Sequence, residues 1–198
     1  MFPPRQTTEP ADTPISVADA KGNQRVGHST EDAVFEALIE AAVSHLDGYS
    51  GILGRCMVTS SWEQDFEGWP ADSCLRLPLP DVAAETVEIT YRDEDDVEQT
   101  LPADQYEVLE DARGACITFR KAFSAPALFD ATRRPVPVAF NAGYGDPEDV
   151  PAALKQALKL IVGDLYENRE NTVVGDVRVT QMPIAADRLI APYRRVGL

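Results

Sequence analysis

Apolar positions along the chain keep two different periods, and the changes between them divide it. Val34, Phe35, Leu38, Ile39, Ala42, Val43 and Leu46 recur three and four residues apart, which marks a helix with one apolar face. Ser29-Thr30-Glu31-Asp32 supplies cap residues and acids for its positive end, and Gly48 a stop. The same period returns in Leu154, Ala157, Leu158, Ile161, Val162, Leu165 and Tyr166, with Lys155, Lys159 and Asp164 largely off the stripe. Pro151 stands near the start of that second long helix, where its missing N–H costs nothing. Between the two helices, over residues 55–140, the period falls to two. Cys56, Val58, Ser60 and Trp62 alternate with Met57, Thr59 and Ser61. Leu75 and Leu77 flank Arg76, and Val87, Ile89 and Tyr91 alternate with Glu88, Thr90 and Arg92. Tyr106 and Val108, Cys116 to Arg120, and Val136, Val138 and Phe140 continue the pattern. This predicts an antiparallel β-module of about six short strands, with Asp93-Glu94-Asp95-Asp96 as a hairpin tip.

The remaining stretches are shorter. Residues 1–14, rich in Pro, Thr and acid, read as a flexible arm. Ser16, with Asp19 three residues on, has the spacing of a capping box, and Gly22-Asn23 weakens the short helix it would open. Residues 141–149 read as a loop, 173–180 as a short strand or extended segment, and 183–190 as a short helix before Pro192. The expected fold class is therefore α+β. A small helical domain (15–54 and 150–171), of two long packed helices plus short ones, carries an inserted antiparallel β-module (55–141), with an extended C-terminal tail (172–198). The helix-packing residues are Phe35, Leu38, Leu46, Leu154, Leu158, Ile161, Leu165 and Tyr166.

Composition adds one decisive fact. With 44% apolar and 26% charged residues the chain of 198 can bury a core, but 18 bases stand against 33 acids, a net charge of −15. Such a chain repels DNA over most of its surface, because gripping DNA requires a basic footprint. The charge is uneven. Residues 81–111 hold twelve acids and one base, Arg92, whereas residues 178–198 hold four arginines and one acid, Asp187. An acidic middle and a mildly basic tail suit head-to-tail contact between copies or a docking tail. There is no run of 18 apolar residues to span a membrane and no apolar stretch of signal-peptide type at Met1-Phe2-Pro3-Pro4-Arg5, so the chain reads as intracellular. Cys56, Cys74 and Cys116, odd in number and widely spaced, read as buried thiols without metal-ligand spacing.

No constellation of catalytic residues emerges. Four adjacent acids at 93–96 cannot all point at one ion. Asp146, Glu148 and Asp149 lack the ligand order of an EF-hand and read as helix-start acids. Gly143-Tyr144-Gly145 precedes a helix but has no lysine, and the acids that follow would repel a phosphate. His28 and His45 stand in no triad or zinc context, and Glu167 and Glu170 lack the accompanying histidine of a di-iron bundle. Trp62, Phe66 and Trp69 suit the core or edge of the β-module better than base stacking, given the charge. No cofactor or metal is expected, and an enzymatic role is not.

Four stretches in order carry a resemblance. They are Pro14-Ile15-Ser16-Val17-Ala18-Asp19-Ala20-Lys21, the run from Ala41 through Leu46-Asp47-Gly48-Tyr49-Ser50-Gly51, the run from Ile52-Leu53-Gly54-Arg55 to Trp62, and the run from Ala142-Gly143-Tyr144-Gly145-Asp146-Pro147 to Ala157, closing at Tyr166-Glu167-Asn168-Arg169-Glu170. On these the chain resembles the head–tail connector (adaptor) family of long-tailed bacteriophages and phage-derived gene transfer agents. Where the family's first helix continues with good helix formers, this chain has Lys21-Gly22-Asn23. The resemblance implies a structural protein that forms a ring, usually of twelve copies, under the portal. The ring bridges portal to stopper or tail-completion protein around the channel through which DNA passes, without specific DNA binding and without a membrane. It implies assembly in the cytoplasm and residence in the particle neck. In that frame the packing residues above also serve ring assembly. Ile184, Leu189, Ile190, Pro192, Tyr193, Arg194 and Arg195 are the expected portal-docking residues, in a tail whose removal should leave the monomer folded. Two readings from other classes stand beside it: a binding module whose β-region captures a peptide or small ligand, and a hydrolase built from scattered acids.

Overall fold

The computed structural model describes residues 2–70, 74–111, 113–168 and 183–195, and has the α+β class. The chain divides into two compact units, each assembled from separate stretches: a β-unit from Met1–Pro10 and Thr59–Tyr144, and a helical unit from Ala11–Val58 and Gly145–Val196.

In the β-unit, a five-stranded antiparallel sheet has the order β1-β2-β8-β4-β5. Its strands are β1 (Arg5–Thr8), β2 (Ser60–Phe66), β4 (Glu88–Arg92), β5 (Glu98–Thr100) and β8 (Val136–Ala142). A second, three-stranded sheet has the order β3-β7-β6, from β3 (Cys74–Arg76), β6 (Tyr106–Asp111) and β7 (Gly114–Phe119). The register of β2 on β8 sets Trp62 opposite Phe140 and Gln64 opposite Val138. Val136, Val138, Phe140 and Ile89 are buried to within 1%. Trp69 meets Tyr91 of β4, Phe119 of β7 and Phe123 edge-on at 5.3 to 5.7 Å, and its indole N–H donates to the Pro126 carbonyl at 2.8 Å.

Three expectations change here. The arm 1–14 is not free along its length: residues 5–8 pair with the outer edge of β2. Their composition lacks apolar alternation, so only the partner strand's unpaired N–H and C=O groups call them into a sheet. The pairing is reinforced by Arg5 on Glu63 and by the Gln64 amide donating to the Phe2 carbonyl at 2.8 Å. The strand expected from Cys56 begins only at Ser60. Cys56, Met57 and Val58 are buried instead in the helical unit, where the Asp47 carboxylate accepts the Met57 N–H at 2.6 Å. Cys74 and Cys116, expected as thiols, form a disulfide across β3 and β7 with Cα atoms 6.2 Å apart, while Cys56 is a buried thiol outside that disulfide. The register explains it: Cys74 faces Thr118 directly, which makes Cys116 its diagonal neighbour on one face.

The helical unit holds α1 (Val17–Gln24), α2 (Asp32–Leu46), α3 (Ala152–Glu167) and α4 (Ile184–Ile190). Ser16 and Asp19 make the expected capping box, and α1 runs through Gly22 to Gln24 before Arg25 turns it left-handed at φ 58°. Helix α2 starts without a side-chain cap, its N-cap being Glu31 rather than Ser29 or Thr30. The turn into α3 depends on Gly145: its φ is 131°, and a Cβ there would lie 2.4 Å from Asp149 Oδ2. The expected segment 173–180 lies outside the described residues.

Candidate assembly surfaces

Helix α3 is the axis of the helical unit and packs against α1, α2 and α4. Its stripe sorts into an interior and an edge. Leu154, Ala157, Leu158 and Val162 are fully buried, and so are Phe35 and Leu46 from α2, with Ile161 7% exposed. These side chains are consumed inside their own unit. Phe35, Leu46, Leu154, Leu158 and Ile161 are therefore helix-packing residues of their own unit. The cover comes from α1, α2 and α4, which pack on α3 and bury the stripe from Leu154 to Val162. Leu38 is half-buried and Leu165 and Val34 are 39% exposed. Tyr166 stacks on Phe35 at 4.7 Å between centroids, and its hydroxyl donates to Glu31 Oε2 at 2.6 Å.

The C-terminal residues are also partly internal. In α4, Ala186 and Ile190 are fully buried. Ile190 is thus a core residue, not a docking residue, because α4 seals α3. A 3-10 turn, Ala191–Tyr193, follows with Pro192 inside it. Arg194 pairs with Asp187 at 2.8 Å, and the Arg195 N–H donates to the Leu53 carbonyl at 2.8 Å. That last bond ties the segment to the loop after α2, so removing it would uncover the unit's interior, contrary to the expectation of a dispensable tail. Ile184 (59% exposed), Pro192 and Arg194 face outward, with Leu189, Tyr193 and Arg195 half-buried.

The loop 47–58 is tightly built. Gly48 N–H donates to Arg55 O, Ile52 N–H to His45 O and Leu53 N–H to Leu46 O, leaving Tyr49 46% exposed. Burial pushes the Asp47 carboxyl up to about 6, against the opposing pull of the Met57 and Gly48 N–H groups. Nothing in the pattern of the sequence singled out Asp47; the hint was an acid directly after an apolar stripe and before a glycine.

The candidate chemical residues fall into structural roles. Asp93 closes its hairpin by accepting from Asp95 N–H and Val97 N–H at 3.1 and 3.0 Å, and the Gln99 amide, donating to it at 2.9 Å, together with those N–H groups holds its carboxyl below the usual range. Asp149 accepts the Asp146 N–H at 3.1 Å, capping the turn before α3. His45 is exposed, and His28 lies 3.8 Å from Glu31. Among the described residues no group of three His, Cys, Asp or Glu could hold a metal ion, and no helix is long and apolar enough to cross a membrane. The described residues line open cavities in each unit. One of about 770 Å³ in the helical unit lies between Asp12–Ser16 and Lys155 and Lys159, and one of about 500 Å³ in the β-unit is lined by Phe66, Trp69, Cys74 and Arg76.

Residues 126–194 match the family described as phage gp6-like head-tail connector protein. No curated protein matches the chain. Among solved structures, a chain in the neck of an empty GTA particle computed with C6 symmetry is 22% identical with a TM-score of 0.77, covering 100% of this chain and 97% of that one. A chain in the virion of a native gene transfer agent (GTA) particle gives the same identity, score and coverage. One in the neck of a native GTA particle computed with C12 symmetry is 19% identical, with a TM-score of 0.67 and the same coverage. The chain is thus similar in sequence to head-tail connector proteins over residues 126–194, and similar in fold along its length to chains of gene transfer agent particles.

Proposed function

We propose that this chain is a structural head–tail adaptor of a phage-like particle. It acts by assembly, not by a reaction. Copies form a cyclic ring in the particle neck, between the portal and the stopper or tail-completion protein, around the channel through which DNA leaves. The observation that carries this is the fold shared along the whole chain with gene transfer agent neck chains, joined to the connector-family match over 126–194. The charge of −15 supports a channel wall that lets DNA slide. The ring assembles in the cytoplasm and stays in the neck, with twelve copies as the expected number.

Within this reading the outward residues of the C-terminal segment, Ile184, Pro192 and Arg194, contact the portal, because they are held in fixed positions by an α4 that the core already anchors. The experiment is cosedimentation of the purified protein with the portal ring encoded near it. Stoichiometric binding is expected, with Ile184→Asp weakening it and the fold intact by circular dichroism. An absence of binding by the full chain overturns the adaptor reading and turns attention to the 500 Å³ cavity beside Trp69 as a ligand site.

A further inference from the structure

The segment 120–134 departs from the rest of the molecule in two ways. It carries Arg120, Lys121, Arg133 and Arg134 against one acid, Asp130, in a chain where acids outnumber bases nearly two to one. It is also a long connection without helix or strand, a type that is uncommon in compact domains unless it serves a purpose. It is nonetheless firmly built. Phe123 stacks on Phe119 at 4.4 Å and its N–H donates to Arg120 O. Trp69 holds the Pro126 carbonyl, and Phe129 N–H donates to Arg92 O at 3.0 Å. None of those anchors is a charged side chain.

Several cations of the described residues are paired with acids: Arg5, Lys21, Arg76, Arg92, Lys159 and Arg194. Arg134 pairs with Asp65 at 3.0 Å and lies over the Phe2 ring. Arg120, Lys121 and Arg133 are exposed, and among the described residues none of the three forms an ion pair. Three solvated cations on one anchored loop offer a surface complementary to negative charge.

We propose that this loop is the basic half of a contact between neighbouring copies, and that its occupant is the acidic surface of residues 94–107 on a second copy. Glu94, Asp95, Glu98, Asp104 and Glu107 are exposed there, within a stretch of twelve acids and one base. Charge complementarity favours this occupant over DNA, because the remaining surface of the chain repels DNA while it supplies the acids itself. A loop meeting a different surface is a heterologous contact, the kind that closes cyclic rings. The inference rests on the adaptor reading only for the neighbour that a ring supplies.

The test mixes unlabelled with heavy-nitrogen-labelled full-length protein and treats the mixture with a water-soluble carbodiimide. The reagent joins a lysine amine to a carboxyl in direct contact, with net loss of one water. Mixed-label links from Lys121 to residues 94–107 are expected. Links within one label only, mixed links from Lys121 to other places, or none at all overturn the contact. A charge exchange gives the second measurement. Arg120→Glu/Lys121→Glu/Arg133→Glu should reduce copies retained on the portal ring by about ten-fold, and adding Glu94→Lys/Asp95→Lys/Glu98→Lys should restore them. Loss without restoration overturns it, and loss together with release of duplex DNA would mark the loop as a DNA contact instead. If the unaltered protein fails to bind the portal, the adaptor reading fails alone, because the mixed-label links remain readable.

Discussion

Asp47 is the residue where burial and charge conflict most sharply. Its carboxyl is pushed up to about 6 while it still accepts the Met57 N–H at 2.6 Å. A carboxyl whose folded value is raised holds its proton more tightly in the native state. Its stabilising contribution is complete below the unfolded value near 4 and is lost as pH rises through about 6. The gap corresponds to on the order of 3 kcal/mol. Asp47→Asn keeps an acceptor for Met57 and cannot ionise. Denaturant unfolding of both proteins from pH 4 to pH 7 should therefore show the unaltered protein losing ground against the variant by that order. Parallel curves would mean that the carboxyl ionises as freely in the folded chain as in the unfolded one. Cysteine chemistry gives a second prediction at this scale. Protein purified without reductant, then denatured and alkylated, should take one adduct per chain, at Cys56, because Cys74 and Cys116 are paired. Three adducts by intact mass would return these two to the buried thiols that their spacing suggests.

Among the elements, α4 separates what is anchored from what is presented. Ile190 is buried and Ile184 is 59% exposed on the same short helix. Ile190→Ala should cost about 2–4 kcal/mol, as a large-to-small change in a packed core, and Ile184→Ala should stay within about 0.5 kcal/mol. Equilibrium denaturation measures both; equal small effects would detach α4 from the core. The long helices α2 and α3 were legible in the sequence because a stripe such as Leu154, Leu158, Ile161 fixes period and face together. The hairpin tip at 93–96 and the capping box at Ser16 were legible because their chemistry is local. The short edge strand β1 was not, since Arg-Gln-Thr-Thr carries no alternation and its structure is lent by β2. The start of β2 was misplaced because Cys56, Met57 and Val58 alternate well enough for a strand, yet the half-buried Asp47 accepts Met57's N–H and holds them in the other unit. The basic loop 120–134 was not read from the sequence, because the fold is what shows Arg120, Lys121 and Arg133 on one anchored connection without ion pairs among the described residues.

At the scale of the whole molecule, the question is how a chain that surrounds DNA, as proposed here, avoids holding it. The answer follows from where the charges sit. Thirty-three acids against eighteen bases give −15 per copy, and many of the cations are spent on acids of their own chain. A ring multiplies that charge, so any duplex inside faces repulsion that counterions screen only over a Debye length of about 8 Å at physiological salt. The exposed cations of the 120–134 loop could reverse this locally, and in the proposed contact they are covered by the next copy. Duplex DNA titrated with the isolated protein at low salt should accordingly show no retarded species at protein concentrations where typical non-specific binders, with dissociation constants of about 100 μM or tighter at physiological salt, retard it fully. Retention that weakens steeply with added salt would count the released counterions and show that a basic surface is reaching the backbone. The variant with the three loop cations reversed would then identify that surface. If neither form is retained, repulsion is a property of the whole surface, and the passage of DNA needs no site on this protein, only a wall that it does not adhere to.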